Sequence, residues 1–215
     1  LGQVLAAGME ELRKDPAMAE TYEKVIQQRA GAAVLLNADP PEHVRQRKAV
    51  NGAFRPARLR GMEPMIEAVT DRLLDEVAPR GEMDAVADFA VGLPMTIIAY
   101  ALGVFEDDLD TFKRWSDDMV MPVGKPNPTP DEVRAYLISQ TEFAEFFSDI
   151  LAQRKLDPQE DIISDVALAE VDGVSLSEPE MLSMLSQFLV AGNDTTTKLL
   201  TNLVLHLATD DGLEA

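Results

Sequence analysis

The sequence predicts a mainly α fold, and three observations carry that prediction. Apolar residues recur at three- and four-residue spacing in nearly every segment, two capping boxes open long apolar stripes, and strand signals are scarce. With 215 residues, 46% of them hydrophobic and 27% charged, the chain can bury a sizeable core and is too apolar for a disordered tail. Residues 1–215 read as a single unit without internal repeats.

The elements follow in chain order. Tyr22, Val25, Ile26 and Arg29 mark one helical stripe. Asp39-Pro40-Pro41-Glu42 suits a helix start, because proline and acid favour a first turn, and it sets His43 and Arg47 four residues apart on one face. Ile66, Val69, Leu73 and Val77 mark the next helix. Glu82-Met83-Asp84-Ala85-Val86 alternates apolar and acidic residues over five positions, enough for one edge strand at most. Ile97, Ile98, Ala101 and Leu102 form a helix that Gly103 stops, and Leu109, Phe112 and Ser116 a short one.

From Asp117 to Pro130, four prolines and a glycine accompany Met119, Val120, Met121, Pro122 and Val123. The composition predicts a non-helical segment too apolar for a solvated loop, either packed on its own domain or forming a lid over a pocket. Thr129-Pro130-Asp131-Glu132 then opens a long helix through Val133, Leu137, Ala144, Phe147 and Leu151. Ile162, Val166 and Ala169 predict a further helix, and Asp172-Gly173 a tight turn between helices. Ser177-Glu178-Pro179-Glu180 repeats the capping box before the last helix.

Thirty-eight acids against nineteen bases leave a net charge of -19, which disfavours nucleic-acid partners. The absence of cysteine from these residues excludes a disulfide framework and a thiolate ligand within them. No apolar run approaches a bilayer span and no secretory leader opens the chain, so the expectation is a cytoplasmic protein with no membrane partner. One block departs from the acidic background. Between His43 and Met62 there is no acid, while Arg45, Arg47, Lys48, Arg55, Arg58 and Arg60 supply six of the nineteen bases. Such a patch suits an anionic cofactor or an acidic protein; the plainer reading is a solvated face balancing nearby acids. Within it, His43 and Arg47 could together grip one carboxylate.

The last helix carries the stripe Leu182, Leu185, Leu189, Gly192, Thr196, Leu199 and Leu203, expected to be one buried face. Glycine inside a helix costs about 1 kcal/mol against alanine, and a threonine on a core face needs a partner for its hydroxyl. Gly192 either ends one helix, with Asn193 or Asp194 capping the next, or lies in a continuous helix with a local distortion. The unbroken phase of the stripe favours the continuous helix. The missing side chain at Gly192 would then let a ligand approach the backbone. Thr195 and Thr196 offer hydroxyls beside it, and Asp194 a carboxylate that could relay protons, although Asp194 points away from the stripe.

Taken together, these segments resemble the cytochrome P-450 family, specifically its soluble bacterial members. Asp39-Pro40-Pro41-Glu42-His43-Val44-Arg45-Gln46-Arg47 is similar to the family's D-P-P-x-H-x-x-x-R opening of helix C, and Ala191 to Thr196 to its A-G-x-D/E-T-T signature of helix I. Ala53-Phe54-Arg55-Pro56 looks like the A-F-x-P that follows helix C. Leu93-Pro94, Leu102-Gly103-Val104 and Trp115-Ser116 look like further family punctuation, so the resemblance runs from about Val34 to Leu207.

The resemblance implies an incomplete cytochrome P-450 fold, helices B to I with at most one or two short strands. It implies haem as cofactor, with His43 and Arg47 binding its propionates, Ala191 and Gly192 over its distal face, and Thr196 supporting a distorted turn. Asp194 and Thr195 would deliver the protons that drive O–O cleavage. Val34, Leu35 and Leu36, with Met119, Val120 and Met121 of the lid, would line or gate the channel for an apolar small-molecule substrate. Arg45, Lys48, Arg55 and Arg58 would lie toward a face where a ferredoxin-like electron donor docks. The family's iron-ligand cysteine loop and E-x-x-R helix lie downstream of helix I. The cysteine is therefore expected outside this chain, which reads as the N-terminal to central portion of a haem-thiolate monooxygenase, inactive alone. The competing reading is a haem-free helical binding or interaction module that uses the basic block as a docking face.

Overall fold

A computed structural model of the chain describes residues 2–29, 33–104 and 108–209. Nine α-helices run in the order α1 (Gly2–Arg13), α2 (Ala19–Arg29), α3 (Glu42–Val50), α4 (Pro56–Val77), α5 (Gly92–Ala101), α6 (Leu109–Gly124), α7 (Pro130–Leu156), α8 (Ile162–Ala167) and α9 (Glu178–Thr209) among the described residues. Between α8 and α9, strands β1 (Glu170–Val171) and β2 (Val174–Ser175) pair antiparallel, with Glu170 opposite Ser175. Asp172-Gly173 is thus the two-residue turn of a hairpin rather than a helix junction, with Asp172 at φ 56° and Gly173 at φ 78°. Ala169 lies just beyond α8 and is buried without being helical.

Both helix starts stand where the sequence places them, the first as a full capping box and the second through the Glu180 side chain alone. Thr129 Oγ1 accepts from the Glu132 N–H at 3.3 Å while Glu132 accepts from the Thr129 N–H at 2.8 Å. At the start of α9, the Glu180 carboxylate accepts from both the N–H and the hydroxyl of Ser177, each at 2.8 Å.

α7 is the central strut: α6 and α8 pack along it, and α1 and α2 cover its N-terminal half. This arrangement divides the interior in two. The main core joins α5, α6, the C-terminal half of α7, α8 and the first three turns of α9 through Leu102, Phe112, Phe147, Leu151, Ile163, Met184, Leu185 and Leu189. Inside it Phe112, Trp115, Phe143, Phe146 and Phe147 stack mostly edge to face, with centroids 4.5–6.1 Å apart. A smaller core holds Met9, Leu12, Met18, Tyr22 and Val25 against Val133, Tyr136 and Leu137.

Three expectations are corrected. Glu82–Val86 is not a strand: Ala85–Ala90 forms a π-helical turn, which Asp84 caps by accepting from the N–H groups of Val86 and Ala87 at 2.9 and 3.0 Å. Among the described residues no second strand lies beside it, and a capping aspartate outweighs a five-residue alternation. Met119 to Gly124 is helical, forming the last turns of α6. The stripe Phe112, Trp115, Ser116 and Met119 is buried, and that burial carries the helix through Pro122 despite the donor that proline lacks. Finally, the α9 stripe is buried only through Leu189 and Asn193; Leu199 is 67% exposed and Leu203 50%.

Candidate functional site

α3 presents its two candidate anion donors free. His43 is half-buried, Arg47 is exposed, and among the described residues neither side chain has a hydrogen-bond or ion-pair partner. Their neighbours differ. Arg45 donates to Glu42 at 2.9 Å and pairs with Glu180 of α9, so Glu42 first and then Glu180 raise its pKa against the opposing effect of burial. Arg58 pairs with Asp165 of α8. The expectation that Arg45 and Arg58 face a docking partner is therefore corrected, because both are engaged with acids far away in the chain. Lys48, Arg55 and Arg60 remain exposed.

α9 passes through Ala191–Thr197 as one unbroken helix, as the stripe predicts. Its details differ from expectation. Gly192 faces α5: a Cβ there would lie 3.1 Å from Ile98 Cδ1, so the missing side chain admits a neighbouring helix rather than a ligand. Ala191 and Thr195, one turn apart, are the exposed members of the motif. The Thr195 hydroxyl donates back to the Ala191 carbonyl at 2.7 Å, and the helix stays regular, so no distorted turn depends on Thr196. Asp194 is half-buried and ion-paired with Lys198 at 2.6 Å along the same helix.

Asn193, which the sequence offers only as a possible helix cap, has a different role. It is buried, and its amide donates to the buried Ser116 hydroxyl of α6 at 3.0 Å, tying α9 to α6. A signal existed: counting four on from Leu189 along the buried stripe reaches Asn193.

The apolar candidates fall on two elements. Val34 is fully buried in the main core, Leu35 packs against that core, and Leu36 is 83% exposed. Met119 belongs to the main core, Val120 is half-buried, and Met121 packs on the smaller core. The segment at residues 33–36 is held by two glutamines that the sequence reading missed. Gln46 of α3, 1% exposed, donates to the Ala33 carbonyl at 2.9 Å and accepts from the Leu35 N–H at 2.8 Å. Gln187 of α9 donates to the Val34 carbonyl at 2.9 Å and accepts from the Leu36 N–H at 3.2 Å. Glu180 completes the cluster, accepting from Gln46 at 3.2 Å. Burial opposes its ionisation, but the Ser177 N–H and hydroxyl, Gln46 and Arg45 together hold its pKa below the usual carboxylate range.

A cleft of about 560 Å³ lies elsewhere, between α4, the end of α5 and the start of α8, lined by Arg55, Arg58, Tyr100, Asp161 and Asp165 among others. None of the α9 motif lines it. Among the described residues no group of histidines and acids could hold a metal ion, and no helix is long and apolar enough to cross a membrane.

Comparison with known proteins agrees with the motifs. Residues 3–215 match the sequence family described as Cytochrome P-450. Cytochrome P-450 107B1 of Saccharopolyspora erythraea is 36% identical over 173 residues, 80% of this chain and 41% of that protein. A steroid C26-monooxygenase of Mycobacterium tuberculosis is 34% identical over 76% of this chain and 44% of its own length. The crystal structure of CYP109E1 from Bacillus megaterium in complex with testosterone superposes with a TM-score of 0.75 at 32% identity, over 84% of this chain and 48% of that one. The chain thus spans somewhat under half the length of these relatives. With α3 and α9 bearing both motifs and residues 3–215 matched throughout, the chain belongs to the cytochrome P-450 family.

Proposed function

We propose that the protein to which these residues belong is a haem-dependent monooxygenase, which inserts one atom of dioxygen into an apolar small molecule and reduces the other to water with electrons from a redox partner. The observation that carries this reading is the unbroken α9, which leaves Ala191 and Thr195 exposed on one face. The residues present fit haem in their chemistry. His43 and Arg47 are unengaged donors on one face of α3, suited to its propionates, and Ala191 is small enough to lie against a flat ring. When bound, haem supplies the iron at which dioxygen is activated, held by a cysteine expected outside this chain.

The chain's own residues set the proton path. Thr195 keeps its hydroxyl proton on the Ala191 carbonyl, leaving its oxygen free to accept a bond from a guest or a water. Asp194 holds Lys198 through one carboxylate oxygen along the same helix, and its part in the relay is to pass a proton toward Thr195 by way of water. We assign Leu35 and Leu36, with Val120 and Met121 on α6, to the walls that meet substrate, backed by the buried Val34 and Met119. The exposed bases Lys48, Arg55 and Arg60, in a chain of net charge -19, suit an acidic ferredoxin-like electron donor.

The test is a carbon monoxide difference spectrum of the reduced, haem-loaded whole protein. The long-wavelength Soret band of thiolate ligation is expected; its absence, or failure to take up haem, would overturn the reading and favour a haem-free binding module. In the same protein Thr195→Ala should let oxygen consumption run on while product per oxygen falls sharply, since a positioned proton-transfer group is worth about 10²–10⁴-fold in the step it serves. Unchanged coupling would remove Thr195 from the mechanism.

A further inference from the structure

The residue 33–36 segment is gripped from both sides by side chains that imitate a strand. Gln46 and Gln187 each donate to one of its carbonyls and accept from the amide two residues on: Ala33 and Leu35 for Gln46, Val34 and Leu36 for Gln187. Of these four backbone groups, the Val34 carbonyl also accepts from the Asn37 N–H at 3.1 Å in the short 3-10 turn Leu35–Asn37, and the other three are satisfied by the two primary amides. The segment is also strained. Leu35 sits at φ 41°, in the left-handed region that a leucine enters only when its surroundings impose it. Its shape is therefore imposed by the clamp together with the core packing of Val34 and Leu35, rather than by its own preference. The clamp spans α3 and α9, the helices that carry His43, Arg47 and the Ala191–Thr197 motif. Gln46 is fixed in turn by Glu180, which Arg45 bridges.

We propose that Gln46 and Gln187 are positioning residues for substrate selectivity: by holding residues 33–36 in one strained conformation they decide how far Leu35 and Leu36 stand from a bound ligand. The proposal rests on the assignment of those leucines to the substrate wall. The buried Val34 and the 3-10 turn Leu35–Asn37 keep the segment in place, so losing either amide should loosen Leu35 and Leu36 without unfolding it, and the loosened wall should tolerate bulk that the clamped wall excludes.

Gln187→Leu is the informative variant, because Gln187 is only partly buried and its loss spares the interior; Gln46→Leu, at a fully buried site, serves as a second. In the haem-loaded whole protein, amide exchange at Leu35 and Leu36 should rise roughly tenfold or more while the exchange of α7 stays unchanged. The ratio of the dissociation constants of phenylimidazole and unsubstituted imidazole, read from the Soret shift, should fall at least about threefold, since only the larger probe meets the wall. Unchanged exchange at both leucines would overturn the clamp. Raised exchange with an unchanged ratio would overturn the selectivity role and remove the leucines from the substrate wall. Neither result touches the monooxygenase reading, which stands or falls on the carbon monoxide spectrum.

Discussion

At the scale of the residue, the contact between Asn193 and Ser116 shows how a family motif also serves the fold. Both groups are buried, and the Asn193 amide donates to the Ser116 hydroxyl at 3.0 Å. Removing either partner leaves the other polar group in the core without its bond, which costs about 1–3 kcal/mol. Asn193→Ala should therefore destabilise by about 2 kcal/mol, measured by urea unfolding. A double-mutant cycle with Ser116→Ala should return a coupling of about 1 kcal/mol. Two single variants within about 0.3 kcal/mol of the parent, below the usual coupling of contacting residues, would show that the bond does not form in solution. Gly192 beside it obeys another constraint. Its missing Cβ leaves room for Ile98, so a motif glycine that sequence reasoning assigns to a ligand is occupied, from this side, by α5.

At the scale of the element, α6 tests the rule that a proline-rich stretch is not helical. Pro122 leaves the Asp118 carbonyl without its helical donor, yet the helix continues to Gly124 because Met119 is anchored in one core and Met121 packs on the other. Pro122→Ala restores that donor in a helix already formed. It should stabilise by about 1 kcal/mol, less than the mid-helix penalty because the site lies in the last turns. A neutral or destabilising result would argue that residues 119–124 are not helical and revive the lid. The contrast with the correctly read elements is physical. The capping box at Thr129, the Glu180 cap on Ser177 and the phase of α9 are local properties, complete within a few residues, so the sequence displays them. What ended α6, and what became of Glu82–Val86, depended on burial against distant helices and on the Asp84 cap, which composition and alternation do not encode. The same limit applies to the basic block. His43 and Arg47 were legible from their spacing, whereas the pairs Arg45–Glu180 and Arg58–Asp165 join residues more than a hundred positions apart.

At the scale of the whole molecule, the charge balance sets a pH profile with two opposing limbs. The net charge of -19 repels itself at neutral pH, and protonating exposed carboxylates relieves that repulsion as pH falls toward the isoelectric point near 4.3. Against this stand acids whose folded pKa is depressed. Glu180 is held low, against burial, by Ser177, Gln46 and Arg45; Asp161 is held low, against burial, by Ser164 and Arg154. A depressed carboxylate contributes stability that is fully present above its unfolded pKa, about 3.9–4.3, and lost as pH falls through the folded value. Stability should accordingly rise from pH 7 to about 5, where repulsion fades while these acids stay ionised, and fall below about pH 4 as they protonate. Glu180→Gln separates the two limbs, because it removes one depressed acid from the inner network while changing the total charge by a single unit. The variant should be less stable at pH 7, through the loss of the Arg45 partner, and its decline below pH 4 should be shallower than the parent's. Urea midpoints across the range check this. Parallel parent and variant profiles would mean that Glu180 is not held low by its neighbours, and the bridge joining α3 to α9 would then be no stronger than an exposed ion pair.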